Sequence, residues 1–206
     1  MPNDDDELWN FKTHFFGLFL IIVGTPILLL FNQKQTEYST VSIVIYCLGL
    51  IFVYLSSTLY HYSKNIEIKK KLRIVDHVSI YFLIIGSYAP VCFITLYQGS
   101  GLVIFIAVLI ISILGIIYKI FSKSRFRNYS IFFYLILGWL IVFEINTLFE
   151  LIEFNAKVLL ILGGLSYTIG IIFYLLDKIK YFHAIWHIFV LVGSISHYFM
   201  ILFYII

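Results

Sequence analysis

Seven apolar stretches, each close to twenty residues long and nearly free of charge, take up most of this 206-residue chain. They run over about 15–31, 40–61, 76–97, 101–119, 130–149, 157–177 and 183–206. A helix rises 1.5 Å per residue, so about twenty residues cross the roughly 30 Å of bilayer hydrocarbon. Within hydrocarbon every backbone amide must be satisfied locally, which leaves helices as the natural form of such stretches. The 62% hydrophobic and 12% charged residues exclude a soluble domain, which is nearer half apolar and a quarter charged. The expected fold is therefore all-α: a seven-helix bundle, multi-pass in the cell membrane, forming one domain over 1–206. Residues 1–14 are expected to be a short cytoplasmic segment. Their acidic run, Asp4-Asp5-Asp6-Glu7, stands where a signal peptide would be basic, so the first apolar stretch should be retained as a span. Gly24-Thr25-Pro26 inside it is tolerable at the cost of a kink.

Basic residues set the expected orientation, because cytoplasmic loops carry the excess of Lys and Arg. Lys12, then Lys64, Lys69, Lys70, Lys71 and Arg73, then Lys119, Lys123, Arg125 and Arg127, then Lys178 and Lys180 fall on one side. These are twelve of the fourteen, and only Lys34 and Lys157 fall on the other. The N-terminus is thus expected in the cytoplasm and the C-terminus outside. Basic residues confined to membrane-flanking loops give no support to a nucleic-acid partner. Cys47 and Cys92 lie within apolar stretches without CxxC spacing and read as small apolar side chains.

Polar residues inside such spans are costly, and that makes the few present informative. Ser57 and His61 stand one helical turn apart at the end of the second span, and Asp76 opens the third after a short connection. Two apolar helices joined by a short connection lie antiparallel with their ends together, so the three can meet. His183 and His187, spaced i, i+4, share one face of the last span and start in the same leaflet by the loop count. Three neutral imidazoles with an open fourth position form the ligand set of catalytic zinc, which lowers the pKa of bound water towards about 7. Iron, copper or nickel would also accept imidazole. Histidines also sit at membrane interfaces simply because a ring with one wet end suits that depth. Asp76 has two readings: a cap on the N-terminus of the third span, or a general base for a metal-activated water. Ser57 can orient a ligand or that water, or serve helix packing. His14, ahead of the first span, His77, rotated about 100° from Asp76, and His197, about 15 Å beyond His187, stay outside the expected site.

Ser57-Thr58-Leu59-Tyr60-His61, Asp76-His77 with Gly86-Ser87-Tyr88-Ala89-Pro90, Gly163-Gly164-Leu165-Ser166-Tyr167-Thr168-Ile169-Gly170 and His183-Ala184-Ile185-Trp186-His187 follow one another in this order. In this the chain closely resembles the hemolysin III family, the bacterial-type branch of the progestin and adipoQ receptors, over nearly its whole length. The resemblance implies seven helices with the N-terminus inside and a zinc ion near the inner leaflet, held by His61, His183 and His187. It implies that Asp76 contacts the zinc through water, as the matching aspartate does in the adiponectin receptors, which are linked to ceramidase activity. The chain lacks the long N-terminal region of the animal receptors, which tells against hormone signalling.

Three functions follow as expectations. The first is a zinc-dependent hydrolase of a lipid amide or ester, ceramidase-like, with membrane lipids as partners and a ceramide-like or other acyl lipid as substrate. The second is a cytolytic, hemolysin-type membrane protein, and the third a non-catalytic receptor with a structural zinc.

Overall fold

The computed structural model describes residues 4–121 and 127–206. The described residues are helical almost throughout and include no strand: α1 (Asp4–Phe31), α2 (Ser39–Tyr62), α3 (Ile66–Pro90), α4 (Gly101–Phe121), α5 (Arg127–Trp139), α6 (Ile145–Leu151), α7 (Phe154–Leu175) and α8 (Phe182–Met200). A π-helical turn, Val91–Thr95, extends α3, another, Ile201–Ile205, extends α8, and a 3-10 turn, Leu140–Glu144, joins α5 to α6. Seven units are long and apolar enough to cross a membrane: Asp5–Phe31, Ser39–Tyr62, Ile66–Thr95, Gly101–Phe121, Ser130–Leu151, Phe154–Leu175 and Phe182–Ile205. The expected seven-helix, all-α architecture holds.

Two helices begin far earlier than their apolar stretches. The segment 1–14, expected to precede the first span, is helical from Asp4, and Asn10, His14, Gly17, Ile21, Gly24 and Leu28 form a buried seam at alternating spacings of four and three. That spacing keeps one face of the helix against its neighbours, and the acidic first turn complements the helix dipole. The helix continues through Pro26, where the Thr25 hydroxyl donates to the Ile21 carbonyl at 2.7 Å. In α3, Asn65 caps the N-terminus: its side-chain oxygen accepts from the amides of Glu67 and Ile68 at 3.0 and 3.1 Å. Lys69 to Arg73, expected in a loop, therefore lie on helix, and Asp76 sits about three turns inside α3. The reading of Asp76 as a helix cap is thereby excluded. Lys119, also assigned to a loop, belongs to α4 and is buried. Lys123 and Arg125, which the orientation argument uses, lie outside the described residues.

The helices form a ring in chain order: α1 packs on α2, α2 on α3, α3 on α4, α4 on α5, α5 on α7, α7 on α8, and α8 returns to α1. Short connections make consecutive helices antiparallel, so α1, α3, α5 and α8 begin at the end where α2, α4 and α7 finish. The most extensive contact is α2 with α3, and that between α5 and α7 is slight. Both cysteines are buried free thiols.

Candidate metal centre

His61 stands one residue before the end of α2 and is buried, 7% exposed as a whole residue, on the inward face shared with fully buried Ser57. His183 and His187 occupy the first two turns of α8, whose start is set by Tyr181, a residue in the left-handed region at φ 66°. The Tyr181 amide donates to the Asp6 carboxylate at 3.1 Å, so the first turn of α1 helps fix where α8 begins. Ring centroids of His61 and His187 are 5.1 Å apart, of His61 and His183 5.3 Å, and of His183 and His187 4.6 Å. One ligand nitrogen from each lies within 4.8 Å of the others, so the three imidazoles could hold a metal ion.

The hydrogen bonds decide which nitrogens face inward. His61 Nδ1 is 2.8 Å from the Glu7 carboxylate, which can only accept, so Nδ1 carries the proton. His187 Nδ1 is 3.2 Å from the Asn10 carbonyl and 3.1 Å from the Thr13 hydroxyl. The Thr13 hydroxyl gives its hydrogen to main-chain carbonyls, Trp9 at 3.0 Å or Asn10 at 2.9 Å, leaving its oxygen to accept. Nδ1–H on both rings leaves both Nε2 lone pairs for a ligand. The buried Nε2 of His61 has no hydrogen-bond partner among the described residues. A buried polar atom left unpaired costs about 1–3 kcal/mol, and a metal ion at that point would remove the cost. The residues fit a metal of the kind that takes neutral imidazole.

A cavity of about 120 Å³ opens beside the triad, with room for several waters, and Ser57, Asp76, His183 and His187 all line it. Ser57 and Asp76 thus share the lining of one cavity with His183 and His187. The Asp76 turn is tied to α2 by a relay in which Ser56 donates to Ser79 at 2.8 Å and Ser79 to the Asp76 carbonyl at 2.6 Å. Away from the triad the walls are mainly apolar, among them Ile80, Leu83, Ile84 and Val190, with Ser87, Thr168 and His197 as polar exceptions.

His14, excluded at the sequence level, belongs to this neighbourhood. It is 3% exposed, lines the cavity, and its ring lies 3.7 Å from that of His187 between centroids. His77 and His197 also line the cavity, although none of these three joins the ligand cluster. Glu7 was missed altogether. The available signal was the helical spacing of Glu7, Asn10, His14 and Gly17, which marks one face of a helix rather than a tail.

A polytopic all-α membrane protein with a largely buried three-histidine cluster beside an internal cavity is the class that this geometry defines. The chain belongs to the haemolysin-III related family, whose pattern residues 4–198 match, and it is a multi-pass integral membrane protein. It is 38% identical over 202 residues to Hemolysin-3 of Bacillus cereus, covering 98% of this chain and 92% of that one. With the Hemolysin-3 homolog of Bacillus subtilis (strain 168) it shares 38% identity over 200 residues, 97% and 94% of the two chains. Monocyte to macrophage differentiation factor of Homo sapiens is 31% identical over 213 residues, 97% of this chain and 84% of that one. The family expected from the order of the four motifs is the one found.

Proposed function

We propose that this protein is a zinc-dependent hydrolase of an amide or ester bond in a membrane lipid, ceramidase-like in chemistry, with its site towards the cytoplasmic leaflet. The observation that carries the reading is the meeting of three imidazole nitrogens within 4.8 Å beside a cavity that Asp76 and Ser57 also line. His61, His183 and His187 would hold the ion. When bound, zinc supplies Lewis acidity that polarises a carbonyl and acidifies a water. Asp76 takes the proton from the water as its oxygen bonds to the carbonyl carbon, and returns it to the leaving nitrogen or oxygen as the acyl bond breaks. Buried Ser57 orients the water or the carbonyl. The apolar walls beyond Asp76 suit an acyl chain, which makes a ceramide-like or other acyl lipid the substrate class.

The relatives' name, Hemolysin-3, carries the cytolytic alternative. A water-filled pore needs polar side chains along several spans, and the apolar walls of this cavity favour the hydrolase.

Asp76→Asn tests the reading. The variant is expected to keep its zinc, measured by elemental analysis, while hydrolysis across a panel of ceramides and other acyl lipids falls by roughly 10²–10⁴-fold. Equal turnover in both proteins removes Asp76 from the mechanism, and a wild type inactive on every acyl lipid overturns the hydrolase. A structural metal would instead show itself on chelation as lost fold stability.

A further inference from the structure

The first turns of α1 supply acceptors to both buried ring nitrogens that face away from the triad centre, and one of those acceptors is a side chain 54 residues from its partner. Glu7 Oε2 accepts from His61 Nδ1 at 2.8 Å and from Lys69 Nζ at 2.9 Å. Lys69 comes from the second turn of α3, so the carboxylate is held from two helices while it grips a third. The Glu7 side chain is 18% exposed and that of His61 only 3%. An imidazole so buried, with one nitrogen occupied by an acceptor, cannot present that nitrogen to an ion. Its ring plane and tautomer are set before any ion arrives.

We infer that Glu7 is a positioning residue of the metal centre: its carboxylate, braced by Lys69, fixes the tautomer and ring orientation of His61 so that Nε2 is presented to the ion. The inference rests on the proposed metal site and adds a carboxylate–histidine–metal arrangement to it. The Glu7–Lys69 pair has a second conceivable use, as a strut joining α1 to α3, and the two roles make opposite demands on conservative variants. Positioning needs an acceptor at the Glu7 side-chain oxygen. A strut needs opposite charges.

The experiment uses the full chain in detergent, loaded with zinc and titrated against a chromophoric chelator, with cobalt(II) substituted in parallel to read ligand geometry from the visible spectrum. Glu7→Ala, and Glu7→Met as a variant of similar length without an acceptor, should each lose about 10–100-fold in zinc affinity and alter the cobalt spectrum. Glu7→Gln should keep most of the affinity, because its amide oxygen still accepts from Nδ1–H, and Lys69→Ala should keep most of it too. A strut would make Glu7→Gln and Lys69→Ala as weak as Glu7→Ala, which overturns the inference. Wild-type affinity in Glu7→Ala and Glu7→Met overturns it as well, while loss of zinc in His187→Ala in the same series leaves the metal site standing. A wild type that binds no zinc fails the metal site itself, and the inference with it.

Discussion

The contacts α2–α3 and α5–α7 are both made between antiparallel helices, and glycine lies at both, for opposite reasons. At α2–α3 the backbones touch: a Cβ at Gly49 would run into the Phe82 carbonyl, and one at Gly86 would come within 3.2 Å of the Ile45 and Tyr46 carbonyls. Small residues that let helix backbones approach are the usual basis of association where lipid removes any hydrophobic drive between helices. Gly138 on α5 and Gly164 on α7 have nothing within 4 Å of a Cβ, and both line the cavity. There, among the described residues, the helices are bridged by one exposed hydrogen bond, Trp139 Nε1 to Thr168 Oγ1 at 3.1 Å. One side of the ring is thus closed by backbone packing and fixes the height of His61 and Asp76. The other leaves space in the wall of the cavity.

Substitution at the tight contact should have the largest effect. Gly49→Leu forces α2 and α3 apart, at a cost of about 1–3 kcal/mol or more for overpacking. Because His61 travels with α2 while His183 and His187 belong to α8, zinc content should fall together with thermal stability in detergent. A Gly49→Leu protein with wild-type melting and full zinc would show that the α2–α3 contact does not set the site. Trp139→Phe, across the loose contact, comes next. It removes a single interhelical hydrogen bond, worth on average about 0.6 kcal/mol in membranes, and should lower the melting temperature slightly while zinc content stays unchanged. Loss of zinc in Trp139→Phe would mean that the two sides of the ring are coupled.

The tight side was also the more legible in the sequence. Helices announce themselves in lipid by length and apolarity, so seven spans could be counted, and the i, i+4 pair of His183 and His187 needs only helical geometry to share a face. The antiparallel α2–α3 pair brought Ser57, His61 and Asp76 together on connectivity alone. What failed was the assumption that a helix ends where charge begins. Asp5, Asp6 and Glu7 each meet a partner at this end of the bundle: Lys180 at 3.9 Å, the Tyr181 amide, and His61 with Lys69. An apolar window reads them as a tail, although Asn10, His14 and Gly17 already carry the spacing of a buried seam. Asn65 followed by Glu67 was the signal for the true start of α3, overlooked because the lysines that follow look like a loop. The Glu7–His61 pairing has no local signature at all, since it depends on how α1 docks across the ends of two other helices.

The smallest effect is expected where the sequence invites the largest. Gly163-Gly164 looks like a single packing motif, yet its two glycines face different surroundings: a Cβ at Gly163 would meet the His197 ring across α7–α8, and one at Gly164 would meet nothing. If the wall at Gly138 and Gly164 is open, adding a methyl group at either site creates no clash and removes no contact. Gly138→Ala and Gly164→Ala should then cause no loss of stability, and a gain of at most about 1 kcal/mol from the better helix propensity of alanine. Zinc content should be unchanged, because no triad element moves. The same methyl groups narrow the cavity wall, so a reactant that enters between α5 and α7 should be turned over more slowly by the double variant while a short soluble amide or ester is not. Thermal stability, zinc content and the ratio of long-chain to short-chain turnover in the double alanine variant separate the possibilities. A large loss of stability would show that the gap is packed, and an unchanged ratio would send the substrate to the triad by another route.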